Sequence, residues 1–137
     1  MEVKLNKAAP ELLKTPPASM SGVVFGTQFS DHMFCMEWED GKGWHNAEIK
    51  PYGPLLMEPS AMVLHYAQMA FEGLKAYRTD SGENVLFRPR ENFKRMNRTA
   101  QRMCLPELDV EEVLDALKQL LRLDSAWVPH ESGTTLY

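Results

Sequence analysis

The chain has 137 residues, 44% of them hydrophobic and 25% charged, which is an ordinary composition for one globular domain with a core. Its 15 basic and 19 acidic residues give a net charge of -4, so the surface as a whole does not attract nucleic acid and any anion site must be local. No apolar run reaches the length of a membrane span, and the N-terminus lacks the apolar stretch of a signal peptide. We therefore expect a cytoplasmic protein without membrane contact. Cys35 and Cys104 are expected to be buried or free thiols, and no metal site is expected.

The first third of the chain contains a predicted arm and a predicted hairpin. Residues 1–22 hold three prolines and little hydrophobic periodicity, which predicts an arm lying over a surface rather than an element of its own. The folded domain is expected to cover 23–137. Apolar and aromatic enrichment predicts a strand near 32–38, and 39–43 has the composition of a turn. A second strand is predicted at 45–50, before a proline.

The middle of the chain contains a second predicted hairpin. Residues 61–71 show no strand alternation and few breakers, so a short helix or turn is predicted there. Two β-prone runs, at 74–78 and 84–88, flank a polar linker that contains a glycine. We expect the two hairpins to share one sheet.

Two amphipathic helices follow the second hairpin. A helix is predicted over 90–103 because four apolar residues fall on one stripe: Phe93, Met96, Ala100 and Met103. Asp109 with Glu112 resembles a capping box and begins a second helix that runs to about 123. A further β-type run begins at 134–137. The expected fold class is α+β, with antiparallel hairpins and helices packed on the sheet.

Six basic residues crowd the first of these helices and the turn before it: Arg88, Arg90, Lys94, Arg95, Arg98 and Arg102. On a helix, Lys94 and Arg98 point away from the apolar stripe, whereas Arg95 and Arg102 stand at its border. A guanidinium held still at a border can present its fork of donors to a phosphate or carboxylate. Solvated charges on a helix face are the simpler explanation, and spacing alone does not select Arg95.

Aromatic residues form the second candidate group: Phe25, Phe29, His65, Tyr66, Phe71, Tyr77 and Tyr137. A single aromatic residue is normally part of a core, and a histidine in an apolar run is more often structural than catalytic. Lys75 could be taken for a Schiff-base lysine, but strand alternation places it opposite Leu74 and Ala76. An exposed strand lysine is therefore the favoured interpretation.

Several segments together resemble the branched-chain amino acid aminotransferases of the type IV pyridoxal-phosphate fold. They occur in the family's order: Phe25-Gly26, Phe29 to Met33, Leu64 to Tyr66, Phe71 to Ala76, Leu86 to Pro89, Asn92 to Met96 and Trp127 to Pro129. The resemblance covers nearly everything after the arm. FEGLKA, with HY before it and RM after it, is its most specific part.

The resemblance implies a cofactor, a pocket and a reaction. Arg95, in its asparagine-x-x-arginine-methionine context, would grip the phosphate of pyridoxal phosphate. The aliphatic substrate side chain would lie in a box of aromatic residues: Phe25, Tyr66, Phe71 and Tyr137. The tyrosine at Tyr66 is usually lent across a homodimer interface. The implied reaction transfers an amino group between leucine, isoleucine or valine and 2-oxoglutarate. Here Lys94 stands where the family often has aspartate, which leaves the phosphate role intact.

In the family the Schiff-base lysine and the partner of the pyridine nitrogen lie in a second domain, beyond the position of Tyr137. We therefore expect the 137-residue chain to be part of a longer enzyme, to be inactive alone and not to retain the cofactor. D-amino acid transaminases and aminodeoxychorismate lyases share the fold but usually lack the FEGLKA and WVP combination. A different alternative is a non-catalytic dimerisation or anion-binding module, whose basic helix would meet nucleic acid or another anionic partner.

Overall fold

The first predicted hairpin is confirmed in a computed structural model that describes residues 1–137. It consists of β2 and β3, and the arm adds a short strand, β1: Lys4–Leu5 (β1), His32–Glu39 (β2) and Gly43–Pro51 (β3). β3 lies in the centre of this sheet, parallel to β1 and antiparallel to β2. The arm therefore contains an element of its own, which the sequence did not predict. β1 pairs with β3 through backbone hydrogen bonds, and the adjacent Asn6 amide also donates to the Ile49 carbonyl at 2.8 Å. A pattern of side chains does not predict such backbone bonds.

The second hairpin is confirmed, but it does not share a sheet with the first. After a short helix, α1 (Met62–Tyr66), strand β4 (Ala76–Arg78) pairs only with β5 (Asn84–Leu86) as a sheet of its own. The prediction of one shared sheet is wrong because the other edge of β4 is taken by the end of the chain. Ala76 and Leu136 exchange two backbone hydrogen bonds, of 2.8 and 3.0 Å.

Both long helices are confirmed, as α2 (Pro89–Met103) and α3 (Val110–Leu123). Asp109 caps α3 by accepting hydrogen bonds from the amides of Glu111 and Glu112. The reciprocal half of the predicted capping box is not formed, because the Glu112 carboxylate pairs with the N-terminal amino group of Met1. The N-terminus is thus attached to the first turn of α3.

The core lies between the two long helices and the first sheet. Phe93 of α2 packs with Val113 and Leu114 of α3, and Ile49 of β3 is fully buried. In the predicted stripe of α2, Phe93 and Ala100 are buried while Met96 and Met103 are half-buried. None of the helices combines the length and the apolar character that crossing a bilayer requires.

Candidate functional site

Arg95 projects from the middle of α2 and is held by a carboxylate. Its Nε donates to Glu72 Oε2 at 2.8 Å and its Nη2 donates to Oε1, so the two groups form a two-pronged ion pair. The Glu72 side chain is only 9% exposed, whereas that of Arg95 is 54% exposed. The border position predicted for Arg95 is therefore where it lies. The ion pair with Glu72 holds the guanidinium in place, whereas the sequence had suggested that packing at the edge of the core would do so.

Asn92 holds the same carboxylate from the other side. Its Nδ2 donates to Glu72 Oε1 at 3.1 Å and to the Gly73 carbonyl at 2.8 Å. Asn92 and Arg95 are three residues apart, which places both on one face of α2. The hydrogen bond from Arg95 is the main cause that lowers the pKa of Glu72, and the same bond raises the pKa of Arg95. Both groups are therefore charged near neutral pH.

The outer edge of Arg95 can bind an anion. Nη1 makes no hydrogen bond within the chain, and the Arg95 side chain as a whole is 54% exposed. Planar, parallel N–H donors suit a phosphate or a carboxylate. The residues present therefore fit a phosphate group at this position, with the inner edge of Arg95 held and its outer edge available.

The other basic residues around Arg95 divide into paired and unpaired cations. Arg90 makes two hydrogen bonds to Glu111, of 2.6 and 2.8 Å, and Lys94 lies 3.0 Å from Glu91 on the same helix. Lys94 thus forms an ordinary surface pair. The remaining three have no carboxylate within salt-bridge distance: Arg88, Arg98 and Arg102.

Two of the four expected pocket aromatics contact each other. The rings of Phe25 and Tyr137 meet edge to face, with centroids 5.2 Å apart. Both line a cavity of about 300 Å³ whose other walls include Trp127 and Leu136. A largely apolar cavity of this kind can accept an aliphatic side chain without leaving a polar group unpaired.

The other two expected pocket aromatics, Tyr66 and Phe71, stand apart from this cavity. Tyr66 ends helix α1 and is 75% exposed, and Phe71 is 71% exposed; neither lines the cavity. The four residues do not form a closed box in this chain, and the substrate roles of Tyr66 and Phe71 stay predictions. Lys75 is exposed, as expected. His65 is exposed too, with its Nε2 at 2.7 Å from the Pro59 carbonyl.

Gly73 lies between the Glu72–Arg95 ion pair and the aromatic pair formed by Phe25 and Tyr137. A Cβ atom at this position would lie 2.6 Å from the Tyr137 hydroxyl oxygen and 2.9 Å from a ring carbon. The Tyr137 ring therefore rests against the backbone of the residue that follows Glu72. Only glycine leaves room for this contact.

We expect Gly73→Ala to push the Tyr137 ring away and to destabilise the protein by about 1 kcal/mol, the low end for overpacking, because Tyr137 is half exposed and can move. Urea unfolding measures this cost. It should vanish when Tyr137 is also changed to alanine, and Gly53→Ala, where a Cβ meets nothing within 4 Å, should be nearly neutral. A cost that persists without Tyr137 would contradict the contact.

Two of the motif segments contact each other behind the cavity. Asp31 Oδ2 accepts a hydrogen bond from the indole Nε1 of Trp127 at 2.9 Å, and Asp31 Oδ1 accepts one from the Lys14 amide. Although burial raises the pKa of Asp31, these hydrogen bonds lower it below its ordinary value. The Lys14 ammonium lies 5.3 and 5.4 Å from the ring centroids of Tyr52 and Trp127. The arm is thus fastened beside the cavity wall.

His32 and Asp124 form a buried pair next to the hydrogen bond between Asp31 and Trp127. Asp124 accepts hydrogen bonds from the His32 amide at 2.9 Å and from its Nδ1 at 2.6 Å. The Ala8 amide donates to Nε2 at 2.9 Å, so the neutral tautomer with its proton on Nδ1 satisfies both neighbours. Sequence reasoning missed Glu72, Asn92 and this pair. The only signal for them was their place within or beside the quoted motifs.

Several known proteins are similar to this chain in sequence. No family model matches the chain. It is 54% identical, over 90% of its length, to Branched-chain-amino-acid transaminase 1 of Bacillus subtilis (strain 168). It is also 49% identical over 88% to the cytosolic branched-chain-amino-acid aminotransferase of Saccharomyces cerevisiae, and 43% identical over 99% to that of Caenorhabditis elegans. The chain spans 34%, 32% and 33% of these relatives, respectively. It is thus homologous to the branched-chain-amino-acid aminotransferases and corresponds to about a third of their length.

Proposed function

We propose that this chain supplies the phosphate grip and part of the substrate pocket of a pyridoxal-phosphate-dependent branched-chain aminotransferase. The enzyme transfers amino groups between leucine, isoleucine or valine and 2-oxoglutarate. When bound, pyridoxal phosphate supplies the electron sink for this chemistry. The catalytic lysine belongs to the rest of the enzyme. The observation that carries the proposal is Arg95, clamped on its inner edge and open on its outer edge.

Arg95 binds the cofactor phosphate in this proposal. Because its ion pair with Glu72 raises its pKa, Arg95 stays positive at every pH at which an aminotransferase would work. Its free Nη1 and the outer N–H of Nη2 point the same way and can donate to two phosphate oxygens. Arg98, three residues further along the helix, is exposed and has no carboxylate partner to fix the direction of its guanidinium.

Phe25 and Tyr137 form the apolar wall for the substrate side chain. Each methylene buried against such a wall contributes about 0.8 kcal/mol to the binding free energy, and an aliphatic side chain has no polar group that needs a hydrogen-bond partner. A wall of this kind separates substrates that differ by one methylene only weakly, so leucine, isoleucine and valine are all accepted.

We also propose that the enzyme is a homodimer. Apolar side chains are exposed over the segment 55–71, which is unusual for a surface that faces only water. The exposed residues are Leu55, Leu56, Met57, Met62, Leu64, Tyr66, Met69 and Phe71. A second protomer would cover them, and Tyr66 would then reach the neighbouring pocket.

The alternative of a nucleic-acid-binding module has less support. Three of the six basic residues in and next to α2 already pair with carboxylates: Arg90, Lys94 and Arg95. The apolar exposed segment 55–71 belongs to the connection before β4 rather than to the basic helix. A protein that binds the phosphate backbone of a nucleic acid needs several unpaired cations along one continuous surface.

Leucine-dependent glutamate formation from 2-oxoglutarate tests the proposed function. We expect the purified full-length protein that carries this chain to catalyse it with added pyridoxal phosphate. The 137-residue chain alone should not, because it holds no suitable lysine. Turnover of D-amino acids but not leucine would favour the D-amino acid transaminase alternative. Robust leucine turnover by the chain alone would contradict the assignment of the lysine to another part of the enzyme.

A further inference from the structure

We propose that Glu72 is a positioning residue that, together with Asn92, aims the outer donors of Arg95 at the cofactor phosphate. This inference rests on the proposed function. Glu72 itself does not touch the phosphate. It fixes the plane and the direction of the guanidinium that does.

The burial of the two partners shows which one holds the other. Glu72 is 9% exposed and accepts hydrogen bonds from two side chains, whereas Arg95 is 54% exposed and has no other partner. The carboxylate is therefore the fixed group and the guanidinium is the group held by it. A free arginine side chain would lose about 2 kcal/mol of rotamer entropy when it binds a ligand. Prior fixation by Glu72 removes part of that cost.

Asn92 fixes the carboxylate and the backbone beside it. Its Nδ2 bonds to both Glu72 Oε1 and the Gly73 carbonyl, so the Glu72 side chain and the following peptide move together with α2. Gly73 in turn lies against Tyr137. The adjacent residues Glu72 and Gly73 therefore link the position of Arg95 to that of the Tyr137 ring.

The Arg90–Glu111 pair provides a matched control. It has the same two-pronged geometry, at 2.6 and 2.8 Å, and it joins the same helix α2 to α3. Its side chains are 54% and 60% exposed, and no third side chain fixes Glu111. A change at Glu111 therefore alters charge pairing on the surface without altering the direction of Arg95.

The test variant must separate orientation from charge. Glu72→Gln would remove the orienting carboxylate and also a negative charge that repels phosphate, and these two effects oppose each other. Glu72→Asp keeps the charge but shortens the side chain by one methylene. The shorter carboxylate no longer reaches both Nε and Nη2 in the observed geometry, so only the orientation is lost.

The experiment compares the affinity of the full-length enzyme for pyridoxal phosphate with its affinity for pyridoxal, which lacks the phosphate. We expect Glu72→Asp to reduce the preference for pyridoxal phosphate about tenfold, in line with a lost charge-assisted hydrogen bond, and to leave pyridoxal affinity unchanged. Glu111→Asp should have no effect. In an Arg95→Ala background, Glu72→Asp should cause no further loss, because Glu72 acts only through Arg95.

Asn92→Ala keeps the idea testable if Glu72→Asp does not fold, and it should reduce the preference in the same direction. An unchanged preference in both variants would overturn the inference. Equal losses for the two ligands would overturn it too, because they would indicate structural damage. If the wild-type enzyme shows no preference for pyridoxal phosphate at all, the proposed function itself fails, which is a distinguishable result.

Discussion

Asp124→Ala is expected to lower the free energy of unfolding by about 2–6 kcal/mol, because it leaves two buried donors of His32 without an acceptor and each such donor costs about 1–3 kcal/mol. Both carboxylate oxygens of Asp124 accept hydrogen bonds from His32, and both residues are almost fully buried. Without the carboxylate, the His32 amide and its Nδ1–H are left unpaired in the interior. The imidazole also loses the group that fixes its tautomer, so its bond from the Ala8 amide weakens.

Urea unfolding of the protein measures this change, and Asp115→Ala is its control. Asp115 lies on the exposed face of α3 in an ion pair with Lys118, and its removal should cost less than about 0.5 kcal/mol. Asp124→Asn should fall between the two, because its amide oxygen can still accept one of the two hydrogen bonds. Equal midpoints for Asp124→Ala and Asp115→Ala would contradict a structural role for the pair.

The elements with strong local patterns could be predicted from the sequence. The stripe of α2 and the capping aspartate of α3 are repeated or positional signals, and both helices lie within a residue of the predicted bounds. The turn before Gly43 and the polar linker before β5 likewise indicate hairpins by their composition. These features depend on neighbours in the chain, which a sequence shows directly.

The features that depend on distant neighbours could not be predicted. The partner of Arg95 is Glu72, 23 positions earlier, and the partner of His32 is Asp124, 92 positions later. Helical spacing indicates which face a residue occupies but not which loop lies against that face. The separation of the two hairpins into two sheets has the same origin, because the edge of Ala76 is taken by Leu136.

The family resemblance indicated the site residues, but the structure brings only some of them together. Arg95 is placed to bind an anion, and Phe25 contacts Tyr137. Tyr66 and Phe71 are exposed in the single chain, in an apolar segment that we propose a second protomer covers. In the proposed homodimer, these two residues would complete the pocket of the neighbouring protomer.

Arg95→Ala is expected to weaken the affinity of the full-length enzyme for pyridoxal phosphate roughly 10- to 100-fold, the loss that accompanies one or two charge-assisted hydrogen bonds. The variant removes the arginine of α2 whose guanidinium is held by the largely buried carboxylate of Glu72. It also leaves Glu72 with Asn92 as its single side-chain partner, so a negative charge then faces the phosphate. Both consequences act in the same direction.

Arg98→Ala is the matched control, because it removes the same charge from the same helix at a position without a carboxylate partner. A cofactor titration of wild type, Arg95→Ala and Arg98→Ala therefore tests the assignment of the phosphate grip most directly. We expect Arg98→Ala to bind pyridoxal phosphate within about threefold of wild type, a change well below one charge-assisted hydrogen bond, and Arg95→Ala to lose most of the affinity. Equal losses in the two variants would show that α2 attracts the phosphate only by its overall charge, and would contradict the assignment to Arg95.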